Sequence, residues 1–130
     1  MASIIKEVKL TAGYEKAWAM LRNVAAADKA FPGILIACRM EDAVRTVTFA
    51  NGSVVRERIV TIDEARRRVV YGVIEGRFSH HSASMQVLPE GGGSRLVWVS
   101  DFLPDDGEPM VRALVDEGAE AFRRAVEAAP

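Results

Sequence analysis

The chain has 130 residues and a mass of 14.2 kDa, the size of one ordinary domain, since compact domains most often run to about 100–150 residues. Hydrophobic residues make up 49% of it, enough to bury a core without disulfides or metals, which argues against a disordered chain or a mini-protein. Eighteen acidic and seventeen basic residues leave a net charge of −1; a surplus of cations able to neutralise several phosphates is missing, and nucleic-acid binding is not expected.

The opening Met1-Ala2-Ser3-Ile4-Ile5-Lys6-Glu7 turns charged too early for a secretory leader, and no apolar run approaches the roughly 20 residues that cross a bilayer. A cytoplasmic protein without a membrane span is expected. Ile4–Leu10 reads as an edge-like strand that ends at Thr11-Ala12-Gly13. From Tyr14 the spacing of Tyr14, Trp18 and Leu21, with Ala17 and Met20 beside them, predicts an amphipathic helix. A second short helix over Val24–Ala30 is stopped by Pro32-Gly33.

Strand patterns follow at Ile34–Met40, Val44–Phe49, Val54–Ile62, Arg68–Ile74, His81–Leu88 and Arg95–Leu103. Their separators are turn chemistry, with Asn51-Gly52 read as a tight hairpin whose two residues both take positive φ. Connections this short predict an antiparallel meander. The first of these strands carries the lone Cys38, which has no internal disulfide partner and no metal-ligand spacing, so a reducing compartment fits best.

Folding the last hairpin about Gly91-Gly92 sets Val87 opposite Leu96, Met85 opposite Trp98, Ala83 opposite Ser100 and His81 opposite Phe102. Ser82, Ser84, Gln86, Arg95 and Asp101 fall on the other face. The preceding hairpins add Val69, Tyr71 and Val73, then Glu57, Ile59 and Thr61, to the mostly apolar inner face. After Pro104-Asp105-Asp106-Gly107, Glu108-Pro109 suits a first helical turn, and Val111, Leu114, Val115, Gly118, Phe122, Ala125 and Val126 form an apolar stripe. The sum is an α+β fold over residues 1–130 as a single domain: a seven-stranded curved antiparallel sheet around a long C-terminal helix, with two short helices after the first strand.

Three strings carry a family likeness: Val55-Arg56-Glu57-Arg58-Ile59-Val60-Thr61-Ile62-Asp63, Arg68-Val69-Val70-Tyr71-Gly72-Val73-Ile74-Glu75-Gly76, and Leu96-Val97-Trp98-Val99-Ser100-Asp101-Phe102. With the order of elements, they make the chain resemble the START-like (SRPBCC) superfamily, in its polyketide cyclase/dehydrase-type branch, with the birch-pollen allergen and plant abscisic acid receptors as relatives in fold. The resemblance covers almost the whole chain. It implies a helix-grip fold with a cavity for a small apolar or amphipathic molecule, and it implies no single reaction. Glu57 looks like the cavity-facing acid of the receptor branch, and Arg77-Phe78-Ser79 looks like its mouth loop, the latch. His81 and Ala83 stand where that branch has a tyrosine and a serine, and Ser100 where it has a second acid. Phe31–Met40 also lacks the lysine that meets the hormone carboxylate, so a hormone-receptor function is not implied.

Glu57 and His81 are the ionisable side chains expected on the inner face, and a near-neutral histidine beside a carboxylate is the pair a proton transfer needs. The same two residues also serve as a hydrogen-bonded polar end of the cavity. The expected ligand wall comprises Ile59, Tyr71, Val73, Ala83, Met85 and Trp98 from the sheet. Ser100 and Phe102 extend it, Phe78 covers it from the mouth, and Leu114, Gly118 and Phe122 face it from the last helix.

No metal or cofactor is implied: His80 and His81 point to opposite faces of a strand, and no third ligand is evident. Ser79, His81 and Asp101 lack a nucleophile elbow, and Asp101 should face outward. Arg66-Arg67-Arg68 reads as a solvated hairpin tip, and Gly91-Gly92-Gly93 as a hairpin turn without the strand-to-helix setting of a phosphate loop. The leading reading is a binder of a small hydrophobic or aromatic molecule. The alternatives are a polyketide cyclase or dehydratase of the same fold and an interaction module with a vestigial cavity. The oligomeric state, a homodimer included, is left open.

Overall fold

In the computed structural model, which describes residues 2–130, β1 (Ala2–Leu10) leads into α1 (Tyr14–Arg22), a 3-10 turn (Val24–Ala26) and α2 (Ala27–Ala30). Then come β2 (Leu35–Glu41), β3 (Val44–Phe49), β4 (Val54–Asp63), β5 (Arg68–Val73), β6 (His80–Glu90) and β7 (Gly93–Leu103). A second 3-10 turn (Asp105–Gly107) opens α3 (Glu108–Ala128). Within these residues the strands form one antiparallel sheet in the order β1-β7-β6-β5-β4-β3-β2. This is the expected helix-grip arrangement.

The pleat explains the sheet's two faces. Val87↔Leu96, Met85↔Trp98, Ala83↔Ser100 and His81↔Phe102 pair as the hairpin reading requires, and along β7 every second residue from Ser94 to Phe102 is buried. Gly91 takes the left-handed conformation (φ +56°) that the two-residue turn between Glu90 and Gly93 demands. Gly93 has a different role: a Cβ there would lie 2.3 Å from the Leu10 carbonyl oxygen, so only glycine lets β1 close over the start of β7.

Three local readings are corrected. The Val24–Ala30 segment is a 3-10 turn followed by one turn of α-helix instead of a single helix. The β3–β4 turn is closed by Gly52 N–H donating to Phe49 O (2.9 Å) and Phe49 N–H donating to Ser53 O (2.8 Å), and of its Asn-Gly pair only Gly52 has positive φ (+92°). A β4 register shift between Ile59 and Thr61 pairs Thr61 with Val70, a partner of Ser84 on the outer face, so Thr61 leaves the inner set. A second shift lies between Leu35 and Ala37 in β2. Such bulges bend a strand and increase its twist, which helps the sheet curl.

On α3, Val111, Val115, Gly118, Ala119, Phe122 and Val126 are buried at helical spacing against the concave face. Each large one of these contributes about 1.5–3 kcal/mol by leaving water. Leu114 is only half-buried, for a reason the site makes clear. Among the described residues no helix is long and apolar enough to cross a membrane.

Candidate binding site

The first half of α3 stands off the sheet at the end where the β3–β4 and β5–β6 connections lie, leaving a pocket of about 480 Å³. The sheet side is formed by Glu57, Tyr71, Val73, His81, Trp98 and Ser100, and the helix side by Val111, Leu114 and Val115. Ile34, Phe49, Asn51, Phe78 and Met110 add to the lining. The polar wall follows from strand pairing. Ile59↔Tyr71, Tyr71↔Ala83 and Ala83↔Ser100 form one rung across β4 to β7, and Ala83, the small residue in that rung, leaves room for the larger side chains on either side.

Glu57 is almost fully buried and is held by Arg45 directly across the ladder. Arg45 Nε and Nη2 lie 2.9 and 2.7 Å from Glu57 Oε1, its Nη1 donates to the Val24 carbonyl (3.2 Å), and its guanidinium rests 5.1 Å from the Tyr71 ring centre. Burial pushes the Glu57 carboxyl above its ordinary range while Arg45 pulls it back. Burial, with the Glu57 charge adding to it, also raises the Tyr71 phenol above its ordinary value. His81 sits half-buried with Nε2 3.1 Å from Ser100 Oγ, its ring edge-on to Phe78 (centroids 5.0 Å). Burial, then the neighbouring His80, lowers the His81 pKa, so the ring is neutral at pH 7.

Of the residues expected at the site, Glu57, His81, Tyr71, Val73, Phe78, Trp98, Ser100 and Leu114 come together around the pocket. Leu114 is half-exposed because it faces that space. Glu57 and His81 do not bond each other: each has its own partner, and they stand two strands apart, roughly 10 Å at the usual strand spacing. The other expected wall residues lie behind it. Met85 faces a crevice of only about 10 Å³ beside α1; Ala83 is covered by its large neighbours; Ile59 is half-buried outside the lining. Phe102 packs on Phe78 (5.6 Å), and Phe122 on Phe31 (5.7 Å), whose ring also contacts Trp98 (5.7 Å) and closes that end. Gly118 backs the Trp98 indole, whose Cη2 and Cζ3 would be 2.8 Å from any Cβ placed there.

Arg45 is the functional residue the sequence reading missed, and it adds a buried cation to the inner side. A two-residue turn centred on Asn51-Gly52 sets Arg45 opposite Arg58; the longer turn shifts the register by one and sets it opposite Glu57. Ser79, His81 and Asp101 do not converge, since Asp101 accepts a hydrogen bond from Ser3 on the outer face (2.5 Å).

With this geometry in hand, the relatives can be placed. The family model described as polyketide cyclase/dehydrase and lipid transport matches residues 1–129. The chain belongs to that family. No curated protein matches it significantly. Among solved structures, the family fold is shared with the protein XoxI from Bacillus cereus (TM-score 0.88, 16% identity, covering 98% of this chain and 97% of that one). It is shared with an uncharacterised Bacillus thuringiensis protein (0.86, 17%, 96% and 98%). It is also shared with norcoclaurine synthase from Thalictrum flavum, solved with dopamine and hydroxybenzaldehyde (0.75, 18%, 99% and 88%). At these identities the likeness concerns the fold alone.

Proposed function

We propose that this protein binds a small hydrophobic or aromatic molecule in the pocket between the curved sheet and α3. The observation that carries the reading is the pocket's composition: about 480 Å³, apolar along α3 except at Glu117 and with a few convergent polar side chains on the sheet. Sites for small ligands fall in the range of roughly 300–1,000 Å³ and combine apolar walls with a few placed polar groups. The norcoclaurine synthase fold, which holds two small aromatic molecules, supports the same reading by analogy.

The test is titration with 2-acetonaphthone, alongside native mass spectrometry of freshly purified protein for a co-purified molecule. Micromolar binding that weakens at least tenfold in Leu114→Trp, with the unfolding midpoint kept near wild type, is the expected result. Absence of binding up to millimolar probe, or equal binding to the filled variant, contradicts the proposal.

A second reading, proton-transfer catalysis in the same pocket, is favoured by one observation: a neutral His81 at the wall with Nε2 on Ser100. Glu57 suits that role less well because its carboxylate is engaged by Arg45. Catalysis predicts a turnover that His81→Gln lowers by roughly 10²–10⁴ while binding persists; a binder has no turnover to lose.

A further inference from the structure

Trp98 is only 6% exposed, and its indole nitrogen is cut off from solvent without a hydrogen-bond partner. Buried donors are almost always paired, so an orphan beside a pocket asks what completes it. The other tryptophan shows the usual state: Trp18 Nε1 donates to Glu64 (2.8 Å). The surroundings of Trp98 fix which way its indole faces. Its benzo edge fills the space over Gly118, Phe31 packs on the ring, and the N–H side lies near the Tyr71 hydroxyl without making a hydrogen bond of normal geometry. Tyr71 and Trp98 both line the pocket.

We propose that the Trp98 N–H and the Tyr71 hydroxyl form a subsite for a neutral acceptor oxygen, the carbonyl of an aromatic aldehyde or ketone, which reaches the shielded indole nitrogen when the Tyr71 ring shifts aside and so supplies the partner the indole lacks. This rests on the pocket being a binding site and names the chemistry it selects. Charge decides for a neutral oxygen over a carboxylate. Arg45 is spent on Glu57 and the Val24 carbonyl, Arg77 at the rim is paired with Asp106 (3.1 Å), and His81 is neutral. Glu57 is matched by Arg45 and Glu75 by Arg56 (3.1 Å), and the other acid of the lining is Glu117, so an anionic oxygen beside Tyr71 would find no free cation to meet it.

The experiment uses three probes of one shape: 2-acetonaphthone, its hydrocarbon isostere 2-isopropenylnaphthalene, and 2-naphthoate. The chain has two tryptophans, so a ¹⁵N-labelled sample gives two indole N–H signals. With 2-acetonaphthone the Trp98 signal should move downfield by more than the hydrocarbon moves it, while Trp18 stays still. The ketone should bind roughly tenfold tighter than the hydrocarbon, and naphthoate more weakly than the ketone. Trp98→Phe should abolish the ketone's advantage and spare hydrocarbon binding, and Tyr71→Phe should reduce it, giving a second readout if the first variant folds poorly. Equal affinity for ketone and hydrocarbon in wild type, or an advantage unchanged in both variants, overturns this subsite while leaving the pocket as a binding site. Failure of every probe to bind overturns both.

Discussion

The β4–β5 turn and the β5–β6 loop sit at opposite ends of β5, and each is tied down through an arginine and a carboxylate, yet they cover different things. At the first, Glu64 accepts from Trp18 Nε1 and from the Arg22 guanidinium (2.6–3.1 Å), and Arg67 stacks on Tyr14 (4.3 Å). Beneath lies packed core: Trp18, Leu21, Val69 and Met85. At the second, Arg77 pairs with Asp106 and lies over Phe78, which leans on His81 and Phe102, and beneath lies the pocket. Exposed ion pairs contribute only about 0–1 kcal/mol each. What holds the first end is the buried apolar surface under it; the second end lies over the pocket instead.

The buried Arg45–Glu57 pair stands between the two ends, and removing half of it should give the largest effect. Arg45→Met leaves a carboxylate buried and alone, and urea unfolding should show a loss of about 3–5 kcal/mol at pH 7. The loss should shrink as pH falls and Glu57 takes up a proton, and Arg45→Met/Glu57→Leu should recover much of it. A single variant as stable as wild type would mean that the pair does not divide core from pocket.

Gly118→Ala comes next. Its Cβ would meet the Trp98 ring at 2.8 Å, so overpacking of about 1–3 kcal/mol should outweigh the roughly 1 kcal/mol that alanine gains over glycine in a helix. Trp98 fluorescence should change and 2-acetonaphthone binding weaken, with the Trp18 indole signal unmoved. A variant more stable than wild type, with unchanged binding, would show that the indole is free to shift.

A smaller effect should appear on acidification. Because the folded His81 pKa is lowered, the unfolded chain binds more protons there, so its contribution favours folding above about pH 6.5 and is lost as pH falls below that value. His81→Gln should flatten the stability profile between pH 7 and 5; an unchanged profile would place the titrating group elsewhere. Smallest in stability is Arg77→Ala, expected to change unfolding by less than about 1 kcal/mol while speeding amide exchange in the 74–79 loop, whereas the same change at Arg22 should leave that loop's exchange as it is.

The fold was legible because alternation is strict where one face is buried: from Gly91-Gly92 the β6–β7 register runs unbroken to His81↔Phe102. Legibility failed where the backbone departs from two-residue periodicity. The turn at Asn51-Gly52 carries more residues than the dipeptide signals, which hid Arg45 opposite Glu57, and the β4 register shift moved Thr61 off the inner face. The site was legible as a face but not as a volume. Strand pairing put Phe102 and Met85 on the same side as Tyr71 and Trp98, but only packing by Phe31, Phe78 and Phe122 determines where the empty space ends.

The comparison of the two ends rests on one claim, that the space under the β5–β6 loop receives a small apolar molecule, and amide hydrogen exchange with and without saturating 2-acetonaphthone tests it most directly. Slowed exchange in 74–79 and in the first half of α3, with 63–67 unchanged, is the predicted result. Equal protection at both ends of β5, or none at the loop, would contradict it.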